Sequence, residues 1–174
     1  MKKYLPIILI LLLATLLRFF RLEQNLVYHG ELGHNYLAIR DFLVLGKVPL
    51  LGPPTSHPWL YFGPLYYWLF APVLLAFKFN PVAGGYFFAL VGAATVYLKW
   101  VVVGRLFDRR VALISSFLIA ISPAWLHLAR EARFFSLVSL FFYPFLYFFT
   151  KAIKGRGKGF FWAGFFFGVM LNFH

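Results

Sequence analysis

Runs of apolar residues dominate this chain, and their lengths set the first expectation. A bilayer-crossing helix needs about 20 apolar residues. Five stretches come close to that length: Tyr4 to Phe20, Val82 to Leu106, Val111 to Leu128, Phe134 to Lys151 and Phe160 to His174. A sixth, Trp59 to Phe79, carries Pro64 and Pro72 among Trp59, Tyr61, Tyr66, Tyr67 and Trp68, which is the aromatic character of a helix lying at headgroup level. Reading it as interfacial or re-entrant places three basic clusters on one side: Lys2 and Lys3, Arg105 to Arg110, and Lys151 to Lys158. The predicted fold is therefore all-α and multi-pass, a single module over residues 1–174 with about five spans. One long outer loop, Leu22 to Pro81, lies between the first two. Within it, Leu32, Tyr36, Ile39 and Leu43 recur at helical spacing, so Gly33 to Leu45 reads as a helix lying on the bilayer and ended by Gly46. The stretch Leu51 to Pro58 holds three prolines and reads as a rigid loop without regular structure. The last apolar run stops at His174 when only just long enough to span, as expected of the N-terminal piece of a longer chain.

Composition agrees with a membrane solvent. Hydrophobic residues make up 62% of the chain, charged residues 13%, and mean hydropathy is +0.79. The net charge of +12 does not point to nucleic acid, because the basic residues sit in short clusters between apolar runs, where they orient spans. With Met1-Lys2-Lys3 inside, the N-terminus is cytoplasmic and the chain integral to the plasma membrane. The first apolar run passes into Arg18-Phe19-Phe20-Arg21 without a small-residue cleavage site, so it reads as an uncleaved span rather than a signal peptide. No cysteine is present, which excludes thiolate chemistry and cysteine-metal sites.

Chemistry is expected in the outer loop, which carries three of the five acidic residues and three of the five histidines. Glu31 stands at the start of the loop helix, where a carboxylate either accepts a proton from a substrate or simply complements the helix amides. Arg130 and Arg133 lie three apart near the outer end of a span. On a helix they would share a face and grip a phosphate; the alternative is interfacial snorkelling with a local pair to Glu131. Arg40, beside Asp41, has the pattern of a solvated helix face. His57, between Ser56 and Pro58, stands in the loop as a candidate phosphate contact. His29, Glu31 and His34 bring three potential ligands within six residues, a candidate divalent-cation site. Their spacing departs from the H-E-x-x-H helix, whose histidines are four apart, so no metal is assigned and any cofactor stays open.

These motifs together resemble the polyprenyl-phosphate-dependent glycosyltransferases with the membrane-embedded C-type fold, among them the protein O-mannosyltransferases and the lipid A aminoarabinose transferase. The resemblance rests on Arg18-Phe19 after the first helix, Gly30-Glu31-Leu32 with Arg40 nine residues after the acid, Gly46 to Ser56, and Gly63-Pro64-Leu65-Tyr66-Tyr67. It continues through Gly104 to Arg110, Ser122-Pro123 and Arg130 to Arg133. It implies a sugar donor on polyprenyl phosphate, a glycan, lipid or protein acceptor, Glu31 as general base, and basic residues of the outer loops on the lipid phosphate. Two departures stand out: Glu31 occupies a place usually held by Asp and is followed by Leu32, and a lysine that some members carry falls at His57. A transporter-like fragment and a non-catalytic lipid-binding or scaffold protein descended from such enzymes are the alternatives. Few ionisable groups lie inside the spans, which argues against transport.

Overall fold

The computed structural model describes residues 4–26, 30–57, 59–131, 133–155 and 157–173. The described residues form helices α1 (Leu5–Phe19), α2 (Leu22–Asn25), α3 (Gly30–Leu45), α4 (Leu65–Ala76), α5 (Ala83–Leu106), α6 (Arg109–Ile121), α7 (Pro123–Arg130), α8 (Phe135–Ile153) and α9 (Gly159–Met170). The all-α fold with the make-up of a multi-pass membrane protein is thus the observed one.

The spans are less uniform than the hydropathy pattern suggests. By length and composition α5, of 24 residues, and α8, of 19, are able to cross a bilayer. The expected straight span from Val111 to Leu128 is instead two helices, α6 and α7, bent by 58° at Ser122-Pro123. The expected first and last spans give shorter apolar helices, α1 of 15 residues and α9 of 12. At 1.5 Å rise per residue these reach only about 22 and 18 Å of a hydrocarbon core about 30 Å thick.

Local chemistry sets the helix ends. The Asp108 carboxylate caps α6, accepting from the Arg110 and Val111 amides at 2.7 and 2.9 Å. Gly46 ends α3 as expected, with φ of +67° and the Lys47 amide folded back to the Asp41 carbonyl at 3.4 Å.

Helix α5 is the centre of the bundle, with α1, α2, α4, α6, α7 and α8 packed around it, while α9 lies against α8. The main core gathers at one end of α5, where Tyr66, Phe70 and Leu74 of α4 meet Phe88, Phe134, Leu137, Phe173 and Ile39. The Tyr66 ring stacks on Phe70 and Phe88 at 5.8 and 6.3 Å and tilts against Phe134 at 5.3 Å. Apolar all round, α4 is therefore a core helix on one side rather than one resting only on a lipid surface.

The bend at Pro123 is held by a buried arginine. Proline has no N–H, so the Ile119 carbonyl four residues earlier loses its helical partner. Arg18, 1% exposed, fills the gap: Nη2 donates to Ile119 O at 3.4 Å and Nη1 to Ala120 O at 3.2 Å and Ala14 O at 3.0 Å. A guanidinium away from water is tolerated where backbone carbonyls surround it. Gly92 of α5 leaves the room, since a Cβ there would stand 2.8 Å from Arg18 Nε and 3.0 Å from Ala129 Cβ. In return Arg130, the last residue of α7, donates through Nη2 to the Leu17 carbonyl at 2.6 Å and closes the end of α1.

We expect Arg18→Met to cost about 2 kcal/mol, the scale of orphaning a buried acceptor. The cost is smaller in a Pro123→Ala background, where the substitution restores a backbone amide for the Ile119 carbonyl. Unfolding midpoints of the four proteins in detergent check this; equal costs in both backgrounds would show that Arg18 does not serve the bend.

Candidate functional site

The first turn of α3 brings Glu31 to the end of the bundle where the aromatic core lies, with Leu32 and Asn35 turned inward and buried. The proline-rich stretch folds back over this turn. Without strand or helix among its described residues, as expected, it closes as a narrow hairpin-like loop: the Gly52 amide donates to Phe62 O at 2.9 Å, Phe62 to Pro53 O at 3.0 Å, and Thr55 to Leu60 O at 3.1 Å. An antiparallel bridge pairs Pro54 with Tyr61. Pro53 and Pro54 sit where the pairing asks for a carbonyl or for nothing, so they stiffen the hairpin without breaking it.

On the far wall the chain leaves α7 and turns back into α8. Because α7 stops at Arg130, Arg133 lies beyond the helix, and the shared face expected for the two arginines does not form. The residues part instead: Arg130 is committed to α1, and Arg133 enters the cleft. The cleft, of about 380 Å³, is lined by Glu31, Pro54, Thr55, Ser56, Phe62, Arg133 and Phe135. Phe62 anchors its floor, packed edge-on against Phe134 at 5.0 Å and Phe135 at 6.0 Å.

Charge in the cleft is arranged in two parts. Arg133 Nε stands 3.7 Å from Glu131 Oε2, a contact too long for a hydrogen bond, and among the described residues Nε has no hydrogen-bond acceptor. Glu131 in turn faces His127 Nε2 at 3.4 Å. Glu31 and Arg133 line the same cleft without forming an ion pair among the described residues, so an acid and a cation share one space.

Behind Glu31 stands a buried polar layer. The Tyr67 hydroxyl donates to Asn35 Oδ1 at 3.0 Å, and the Tyr66 hydroxyl beside it is buried without a partner among the described residues. Burial first, and the Glu31 carboxylate second, push the Tyr67 hydroxyl up to about 12. Burial likewise raises that of Tyr66, with Tyr36, Tyr67 and Glu31 adding to it. Both phenols stay neutral donors next to the acid at any physiological pH.

The other expected site residues lie elsewhere. His57 is exposed on the hairpin with its ring stacked on Trp59 at 5.8 Å. Arg40 is exposed further along α3 and borders a separate, apolar cleft of about 420 Å³ with Leu32, Gly33, Tyr36, Leu37 and Leu74. His34 is exposed on α3, and His29 lies outside the described residues. Among the described residues no three metal-type side chains converge. Thr55 and Ser56 were present in the sequence as part of the Gly-Pro-Pro-Thr-Ser segment, but nothing in their spacing announced that the hairpin carries them to Glu31.

Comparison with known proteins identifies the group to which this architecture belongs. A family model described as dolichyl-phosphate-mannose-protein mannosyltransferase matches residues 56–174. The chain belongs to that family. Membership carries, at family level, glycosyl transfer of the mannosyltransferase type from a polyprenyl-phosphate donor, in a membrane-embedded protein. The matched region includes Ser56, Phe62, Arg133 and Phe135 of the cleft, while Glu31 precedes it. No curated protein and no solved structure matches the chain.

The raised Tyr67 hydroxyl has a consequence for stability against pH. The fold favours the neutral phenol, so its contribution is whole below the ordinary value of 10 and fades as pH rises through about 12. Alkaline titration of the protein in detergent should therefore show stability falling between pH 10 and 12, and Tyr67→Phe should flatten part of that fall. An unchanged slope in the variant would place the tyrosine in an open, water-exposed setting.

Proposed function

We propose that the chain transfers a mannose-type sugar from polyprenyl phosphate to a hydroxyl of a glycan, lipid or protein acceptor at the outer face of the plasma membrane. The observation that carries this reading is the single cleft shared by Glu31 and Arg133, contributed by segments far apart in sequence. The reaction needs one group to accept a proton and another to neutralise a leaving phosphate. As the acceptor oxygen bonds to the anomeric carbon, the bond from that carbon to the phosphate oxygen breaks. Glu31 takes the hydroxyl proton, and Arg133 holds the polyprenyl phosphate as its charge grows. The Ser56 hydroxyl on the hairpin orients the sugar, while the Thr55 hydroxyl, donating to Leu60 O at 2.9 Å and accepting from the His57 amide at 3.1 Å, holds the hairpin. Arg130 acts through α1 and the bend, as a positioning residue, and His57 and Arg40 stay outside the chemistry.

Orientation follows from charge. Arg109 lies over the Tyr4 ring at 5.9 Å, and Arg105 and Lys151 both lie over Tyr147, at 5.5 and 4.9 Å. The start of α1, the α5–α6 turn and the end of α8 thus meet at one end, opposite the cleft. The positive-inside bias then puts that end, with the N-terminus, in the cytoplasm and the cleft outside.

The test is mannosyl transfer from radiolabelled polyprenyl-phosphate mannose in membranes holding the full reading frame. Glu31→Gln should lower kcat by about 100- to 10,000-fold, the range for removing a general base. Arg133→Gln should raise the donor KM. Transfer undiminished in Glu31→Gln with normal expression would remove Glu31 from the mechanism. Transfer absent from the wild type with every polyprenyl-phosphate sugar would favour a lipid-binding protein without catalysis.

A further inference from the structure

The end of the bundle opposite the cleft carries a second built site. Tyr97, Val101 and Arg105 recur every four residues on one face of α5, with Trp100 and Gly104 beside them. This face, the start of α1 and the first residue of α6 enclose a cleft of about 380 Å³ lined by Tyr4, Tyr97, Trp100, Val101, Gly104, Arg105 and Arg109. Its walls are fixed by ring contacts, Tyr4 against Trp100 at 6.4 Å and Tyr97 against Trp100 at 6.0 Å. Its two cations are held by aromatic faces rather than by carboxylates: Arg109 rests over Tyr4 and Arg105 over Tyr147. The one carboxylate in the turn, Asp108, is occupied with the α6 amides, so among the described residues neither arginine has an ion-pair partner.

The geometry points to a binding site for an anionic phospholipid of the surrounding leaflet, its headgroup phosphate between Arg105 and Arg109 and an acyl chain along Val101 and Tyr97. Three features select this occupant. The cleft sets two guanidiniums beside the side chains of Val101, Tyr97 and Trp100, matching a phosphate that carries a hydrocarbon tail and not a free anion. Helix α5, which ends beside Arg105, is long enough to cross the bilayer, so its end lies at headgroup level. Tyrosine and tryptophan at that level favour the interface. A zwitterionic lipid, whose own ammonium neutralises its phosphate, leaves both arginines unpaired and is the weaker ligand. The site uses no residue of the Glu31 cleft, so it stands whether or not transfer is observed.

The test is native mass spectrometry of the delipidated chain titrated with phosphatidylglycerol, phosphatidylcholine or inorganic phosphate. Phosphatidylglycerol should bind about 30-fold better than phosphatidylcholine, the effect of two cations near an anionic headgroup. The preference should vanish in Arg105→Gln/Arg109→Gln and survive in Arg110→Gln, which changes an arginine outside the groove. Gly104→Leu, which fills the groove while keeping both arginines, should weaken phosphatidylglycerol binding. It decides the matter if the double variant does not fold. Equal binding of the two lipids, or a preference unchanged by the double variant or by Gly104→Leu, would overturn the proposal. Displacement of phosphatidylglycerol by excess inorganic phosphate would make this a free-anion site and overturn it as well.

Discussion

The fold turns on one exchange of hydrogen bonds between arginines and orphaned carbonyls. Pro123 breaks the helical ladder in the third long apolar run, and Arg18 supplies the missing donors to Ile119 and Ala120. Arg130, one helix further on, supplies a donor to the end of α1. Each arginine settles a terminus on the other's side, so α1, α6 and α7 are bound as a unit around the small residues Gly92 and Ala129. In a protein surrounded by hydrocarbon an unsatisfied carbonyl is costly, and these donors to the carbonyls, given although Arg18 Nε and Arg130 Nε are left without a partner among the described residues, accompany the bend of 58°.

The bend decides where the cleft is. A straight helix through residue 123 would carry the following segment onward along its axis. Bent, α7 leads to Arg133, Phe134 and Phe135, which meet the hairpin at Phe62. There Phe134 enters the aromatic core and Arg133 is left facing Glu31. The same aromatic core, built by Tyr66, Phe70, Phe88 and Phe134, supports α3 from beneath, so acid and cation are both carried on packed elements.

The sequence made much of this legible, unevenly. The apolar runs located most helices, and Gly46 marked the end of α3, because hydropathy and φ preference are local properties. The break at Pro123 was not legible in the same way, since mean hydropathy is blind to a missing amide and Ser122-Pro123 lies within an apolar window. The spacing of Arg130 and Arg133 suggested a common face only on the premise that the helix continued past Arg130. In α4 the uniform apolarity of Leu65 to Ala76 hid which side would be buried. The motif Gly-Pro-Pro-Thr-Ser advertised a rigid loop, but its return over Glu31 depends on backbone pairing between Gly52 and Phe62, which is a property of the folded loop. Glu31 could be singled out by its place at a helix start, and Arg133 by its place three residues after Arg130 near the outer end of a span. Their meeting could not, because it is made by the bend.

The most direct test of this account is where the donor sits. A photoreactive polyprenyl-phosphate mannose analogue, activated in membranes and mapped by peptide mass spectrometry, should label the hairpin 52–62 and the segment 131–135. Competition by unmodified donor should suppress that label. Labelling confined to the opposite end, around Tyr4 and Trp100, or spread without competition along the exposed faces of α1 and α9, would contradict the assignment of the Glu31–Arg133 cleft as the donor site.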